Sequence, residues 1–224
     1  DDVYISVTLG KNILYHNQGN GTFINVTESA GVDYGDHSNC SVWGDIDNDG
    51  YLDLYVTGYN VPNVLYLNNG DGTFTDITTS SGTGNDDKTR STMFADIDND
   101  GDIDLYVANI YDQNVMYRNN GDKTFTDITI ASGTGDYLVA MGSLFFDYDN
   151  DGDQDLYLTH DAYQAYILYE NNGNGQFTDV SVSSNLNYSG QGMGVDIVDY
   201  NNDGYFDVYS TNLGYNNFFK NNGD

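Results

Sequence analysis

The chain predicts an all-β fold built from a repeated antiparallel unit of four short strands, and three observations in its 224 residues carry that expectation. A nine-residue acidic loop recurs as DIDNDGYLD from Asp45, DIDNDGDID from Asp96, DYDNDGDQD from Asp147 and DYNNDGYFD from Asp199, at spacings of 51, 51 and 52 residues. A second motif, centred on an Asn-Gly turn, follows each loop at nearly constant distance. Between the two lies a run such as Leu54-Tyr55-Val56 or Leu105-Tyr106-Val107, apolar on both faces and therefore expected to be covered on both sides.

Within one unit the first strand precedes the acidic loop, as in CSVWGD from Cys40 and TMFAD from Thr92. The second strand leaves it, as in LDLYVTG from Leu52. The third runs into the Asn-Gly turn in NILYHNQGNGTF from Asn12, NVLYLNNGDGTF from Asn63, NVMYRNNGDKTF from Asn114, AYILYENNGNGQF from Ala165 and NNFFKNNGD from Asn216. That turn sends the chain into a fourth strand near Phe23, Phe74, Phe125 and Phe177. Four-stranded antiparallel units of this length, packed face to face, imply a β-propeller-like array of blades with almost no helix.

Asp2 lies 51 residues before Asp53, so the first unit is expected to start at its second strand. The resulting organisation is a single repeat domain over 1–224: a partial unit 1–39, units at about 40–90, 91–140 and 141–190, and a partial unit 191–224. Asp1 then falls inside a repeat, as expected of a mature or excised chain.

The acidic loops point to a hard divalent cation. Calcium takes six to eight oxygens at about 2.3–2.6 Å, and carboxylates at positions 1, 3 and 5 of a short loop can surround one point. Gly50, Gly101, Gly152 and Gly204 at position 6 permit the sharp turn that such wrapping requires. Position 9 is Asp in every copy. An EF-hand would place Glu at position 12, where this chain has Val56, Val107, Leu158 and Ser210, so the loop closes a β-hairpin. Asp-Gly turns alone would not require carboxylates at positions 1, 3 and 9, which repel one another without a cation. Calcium is favoured over magnesium, because the loop is flexible and rich in oxygen.

The DxDxDGxxDLYV stretches, together with LYxNNGDGTFTDIT from Leu65 and its close copies from Met116 and Leu168, resemble the FG-GAP/VCBS repeat. That repeat occurs in integrin α-chain propellers and, in a form more similar to this one, in ASPIC/UnbV-type proteins. The resemblance covers essentially the whole chain. It implies calcium-binding hairpin loops at about four sites, with ligand sets Asp45, Asp47, Asp49 and Asp53; Asp96, Asp98, Asp100 and Asp104; Asp147, Asp149, Asp151 and Asp155; and Asp199, Asn201, Asp203 and Asp207. Asn201 replaces the Asp of the other copies, so the fourth site is expected to bind most weakly. Family propellers usually have about seven blades, whereas this chain supplies about five, implying an arc, a small ring or a section of a longer repeat protein.

Composition narrows the function. Asp plus Glu is 35 against 6 Lys plus Arg, a net charge of −29, which disfavours nucleic acid and anionic membranes as partners. The sequence lacks an 18-residue apolar run that could cross a bilayer. The single cysteine, Cys40, excludes an internal disulfide and reads as a small strand hydrophobe. Loops without a bidentate Glu suit extracellular calcium concentrations, and the sequons at Asn20, Asn25, Asn39 and Asn187 are compatible with a secreted or cell-surface glycoprotein. GxSxG and HExxH are missing, and His16, His37 and His160 occupy unrelated repeat positions that read as surface or turn. Calcium-bound aspartates are held ionised and cannot serve as a glycosidase acid. The expected function is a non-enzymatic structural or adhesive role, with head-to-tail self-association or an extracellular protein or glycan as partner. The alternatives are a lectin-type propeller and, behind it, a polysaccharide-active enzyme.

Overall fold

The computed structural model describes residues 2–35 and 37–223, which form eighteen strands in five antiparallel sheets. Asp1, Asp36 and Asp224 lie outside the described residues, and so does the expectation placed on Asp1. The first sheet holds β1 (Val3–Ile5), β2 (Ile13–Asn17) and β3 (Phe23–Asn25). The second holds β4 (Ser38–Gly44), β5 (Asp53–Gly58), β6 (Val64–Asn68) and β7 (Phe74–Asp76). The third comprises β8 (Thr89–Ala95), β9 (Asp104–Asn109), β10 (Val115–Asn119) and β11 (Phe125–Asp127). The fourth comprises β12 (Ala140–Phe146), β13 (Asp155–His160), β14 (Ile167–Asn171) and β15 (Phe177–Asp179). The last has β16 (Gly192–Val198), β17 (Asp207–Asn212) and β18 (Asn217–Phe219).

Strands follow one another in sheet order, and each acidic loop closes the hairpin between the first two strands of its sheet. The closing pairs are Gly44 with Asp53, Ala95 with Asp104, Phe146 with Asp155 and Val198 with Asp207. The fourth strands begin at Phe23, Phe74, Phe125 and Phe177, where the Asn-Gly turns place them.

The apolar cores lie between sheets. In β5, Leu54 and Val56 pack toward Tyr4 and Leu14 of the preceding sheet, while Tyr55 points the other way, toward Leu105 and Val107. In β9, Tyr106 turns toward Leu156 and Leu158, and in β13 Tyr157 joins Leu168 and Val208. All six residues of β5, β9 and β13 are buried, because alternate side chains face opposite neighbours in a period-2 strand. The buried tyrosine hydroxyls find carbonyls, Tyr55 on Thr83 at 3.0 Å, Tyr106 on Thr134 at 3.3 Å and Tyr157 on Leu186 at 3.2 Å, so their burial leaves no donor orphaned. First strands of successive sheets also pack together, β4 on β8, β8 on β12 and β12 on β16.

Against the expectation of almost no helix, single helical turns follow three of the fourth strands: α1 (Thr27–Ala30), α2 (Thr78–Ser81) and α3 (Thr129–Ser132). The side chains of Asn25, Asp76 and Asp127 each accept the N–H of the opening Thr, and Gly31, Gly82 and Gly133 end the turns at φ 77–82°. Four residues are too few to show a helical period in sequence. Each opening Thr hydroxyl accepts a backbone N–H of the third strand, from Leu14, Leu65 or Met116, which pins the turn to its sheet.

Candidate metal centre

Each acidic loop is shaped by its own carboxylates before any cation is considered. Asp45 accepts the N–H of Asp49 through Oδ1 at 3.0 Å and that of Gly50 through Oδ2 at 2.9 Å. Asp96, Asp147 and Asp199 make the same pair of bonds. The position-4 asparagines, Asn48, Asn99, Asn150 and Asn202, take φ of 57–64°, a left-handed conformation that Asn tolerates better than most residues. The glycines at position 6 lie at φ 89–99°.

Position 9 is the buried anchor. Asp53 accepts the N–H of Ile46 at 2.9 Å through Oδ2 and that of Asn68 at 2.7 Å through Oδ1. Asp104, Asp155 and Asp207 repeat this clamp on Ile97 and Asn119, Tyr148 and Asn171, and Tyr200 and Asn221. Asp2 makes the corresponding bond to Asn17 at 2.8 Å, matching its alignment with Asp53. Burial pushes Asp53 up to about 6, and Asp104 and Asp155 up to about 7, with the neighbouring aspartates adding to the rise.

Three loops bring carboxylates together, within 4.8 Å of one another: Asp45, Asp47 and Asp53; Asp96, Asp98 and Asp104; Asp147, Asp149 and Asp155. The position-5 residues Asp49, Asp100 and Asp151 stand outside these groups, exposed and turned onto the N–H of Tyr51, Asp102 and Asp153. In the fourth loop Asn201 occupies position 3 and donates to Asp203 at 2.7 Å, and among the described residues no third carboxylate joins Asp199 and Asp207.

One carboxylate oxygen of Asp47 and one of Asp98 are buried without any hydrogen-bond partner. A buried, partnerless carboxylate oxygen is costly unless something positive meets it. Converging all-oxygen donors with such an oxygen among them fit a hard divalent cation of the calcium kind.

The loops are also bonded to one another. Asn48 donates to Asp102 at 2.7 Å, Asn99 to Asp153 at 2.7 Å and Asn150 to the Gly204 carbonyl at 3.0 Å. From the last residues of β10 and β14, and from just beyond β18, the amides of Asn119, Asn171 and Asn221 donate to the carbonyls of Ile46, Ile97 and Tyr148 in the preceding loop. Sequence reading missed these asparagines, although their recurring place two residues before the turn glycines Gly121, Gly173 and Gly223 is the available signal.

Four overlapping stretches, residues 1–56, 45–107, 96–158 and 147–210, match the FG-GAP-like repeat. The chain belongs to the FG-GAP-like repeat family. Each matched stretch opens at an acidic loop, or at its Asp2 counterpart, and runs through the next loop. Cartilage acidic protein 1 of Mus musculus is 31% identical over 189 residues, covering 79% of this chain and 29% of that protein. Its Homo sapiens counterpart is 30% identical over 188 residues, covering 79% and 28%. The V. cholerae biofilm matrix protein Bap1 shares the fold at a TM-score of 0.52 and 13% identity, over 93% of this chain and 30% of that one. The chain thus spans less than a third of these relatives.

Outside the loops, one expectation is corrected. His160 does not lie at the surface or in a turn: it ends β13 fully buried, with Nδ1 2.7 Å from the Ala165 carbonyl and Nε2 3.6 Å from Asp136. Gly58 and Asn109, the last residues of β5 and β9, are buried in the same way, an effect that repeat alignment alone does not display. His16 is exposed in β2 beside Asp2, and His37 is exposed at φ 76°. Cys40 is partly buried in β4, and burial raises its thiol pKa, which disfavours the reactive thiolate.

Proposed function

We propose that this FG-GAP-like chain is a calcium-binding, non-enzymatic structural or adhesive part of an extracellular protein, its sheets arranged as the blades of a propeller-like array. The observation that carries the reading is the convergence of position-1, position-3 and position-9 carboxylates in three successive loops, with unpartnered buried oxygens on Asp47 and Asp98. In this reading calcium binds at about four sites, with the position-5 residues Asp49, Asp100, Asp151 and Asp203 turning inward when the ion arrives and Asn201 serving the fourth. The names of the relatives, a cartilage acidic protein and a biofilm matrix protein, support an extracellular setting. Among the described residues no helix is long and apolar enough to cross a membrane.

The outer sheets support the assembly part of the proposal. Val3, Ile5, Phe23 and Ile24 are exposed on the first sheet, and Val198, Phe206, Tyr209 and Phe218 on or beside the last. Both sheets have three strands. Apolar faces and open edges of this kind are normally covered. Here the cover is another repeat unit, in the same polypeptide or in a head-to-tail neighbour, whose contact would be heterologous. Calorimetric titration with calcium tests the metal reading: several sites saturating at micromolar to millimolar ion support it, and absence of heat with no bound metal on elemental analysis refutes it. Light scattering in calcium tests assembly.

A second reading, glycan binding, is favoured by one observation. Tyr59, Tyr111, Tyr163 and Tyr215, each 52 residues from the next, are exposed in the loops after the second strands, by 38%, 67%, 70% and 94%. Exposed tyrosines give flat faces for sugar rings together with a polar edge. A glycan array separates this reading from the scaffold role.

A further inference from the structure

We infer that Lys123 is a built-in counter-cation for the first acidic loop, so that this loop demands a divalent ion less, and binds one more weakly, than the two loops after it. The inference rests on the reading that the loops bind a divalent cation. The Lys123 ammonium lies 2.6 Å from Asp47 Oδ2, and the Asp47 side chain is 7% exposed. The contact crosses repeats, because Lys123 belongs to the turn between β10 and β11 and Asp47 to the loop between β4 and β5.

The turn that carries Lys123 is built for glycine. Lys123 sits at φ 69°, and its counterparts in the other turns are Gly21 at 87°, Gly72 at 87° and Gly175 at 73°. An L side chain in that region is disfavoured, so the one departure from glycine is not explained by backbone geometry. What the side chain gains is a sheltered carboxylate. A charge-assisted contact on a carboxylate this buried is stronger than an exposed surface pair, because less water screens it.

The next two loops lack this arrangement. Over the second loop sits Gly175, whose added Cβ would come 3.9 Å from the Asp98 Cβ. Arg118 is the nearby positive charge there, yet among the described residues it forms no ion pair with Asp98. Beside Asp149 of the third loop stands Glu170, which adds negative charge and accepts the Tyr148 hydroxyl at 2.8 Å. The first loop is therefore partly neutralised by protein and the third is the most anionic. Asp47 keeps one buried oxygen unpartnered, so a metal still has a ligand to find, but it arrives beside a fixed like charge.

The single tryptophan, Trp43, lies in β4 two residues before Asp45 and offers a local reporter. Terbium(III), a calcium substitute, would be titrated into the full chain with 295 nm excitation, and emission abolished by Asp45→Asn assigned to the first loop. Lys123→Gln and Lys123→Gly are expected to lower the half-saturating terbium concentration about tenfold, the effect of a mean change in coupling of one decade, while Lys123→Arg stays near the unmodified chain. Lys123→Gly guards against misfolding, since it restores the residue of the sister turns. Equal half-saturation in the unmodified chain and Lys123→Gln overturns the inference alone. No binding in any variant overturns the metal reading and this inference with it.

Discussion

The side-chain amide of Asn171 donates to the carbonyl of Ile97, 74 residues earlier in the chain, at 2.8 Å, and its own N–H is held by Asp155 at 2.8 Å. One residue thus fastens the acidic loop of its own sheet to the acidic loop of the sheet before it. Asn171→Leu leaves the buried Ile97 and Asn171-facing Gln154 carbonyls without this donor, a loss of about 1–3 kcal/mol. Chemical denaturation should show that loss, together with weaker metal binding at the second loop. Unchanged values for both would refute the linkage.

Calcium removal should destabilise the fold through several sites at once. At free ion ten times Kd, each site contributes about 1.4 kcal/mol. Chelation is therefore expected to lower the melting temperature by more than about 5 °C, given that about 1 kcal/mol moves a domain of this size by roughly 2–4 °C. A melting curve indifferent to EDTA and to added calcium contradicts the proposal.

Asp98→Ala removes the carboxylate whose buried oxygen has no partner, and should abolish the second site. Asn201→Asp should act in two opposed directions. With calcium it supplies the missing carboxylate and tightens the fourth site. Without calcium it loses the 2.7 Å bond to Asp203 and sets two carboxylates against each other, so the metal-free chain melts lower. Weaker calcium binding in Asn201→Asp, read by calorimetry, contradicts its place as a ligand.

Acidity should separate the metal-free and metal-loaded states. Burial raises Asp53 to about 6, and Asp104 and Asp155 to about 7, against an ordinary value of 3.8. The folded metal-free chain thus binds more protons than the unfolded chain between about pH 4 and pH 7, and its stability falls as pH rises through that window. Bound calcium needs the same groups ionised, so its stabilisation shrinks as pH falls. Melting temperatures from pH 5.5 to 7.5 are expected to decrease in EDTA while the gain from calcium increases. An EDTA curve that rises with pH argues against buried, ion-free carboxylates.

Much of the fold was legible because the sequence repeats its own punctuation. The Asn-Gly turns located the strands at Phe23, Phe74, Phe125 and Phe177, and the Leu-Tyr-Val runs announced strands covered on both faces. The helical turn at Thr78–Ser81 was not legible, since its cause is Asp76 accepting one N–H and Gly82 closing the turn, with no period to read. In the loops, spacing identified the carboxylates but not their division of labour. Only the folded structure shows that Asp53 is a buried clamp, that Asp49 faces outward, and that Lys123 reaches across a repeat to Asp47. That last contact had one trace in the sequence, a lysine where three aligned turns have glycine.

Because Leu54 and Tyr55 serve different cores, no sheet owns one: the five sheets share four apolar clusters, each formed where two sheets meet. Stability is then a property of junctions, and each added sheet brings one whole junction while an isolated sheet has none. A series of chains lengthened one repeat at a time should gain stability in nearly equal steps above a fixed initial deficit, as a nearest-neighbour chain does. Damage should travel the same way, with a cavity at one junction costing both sheets that share it and leaving the distant ones folded.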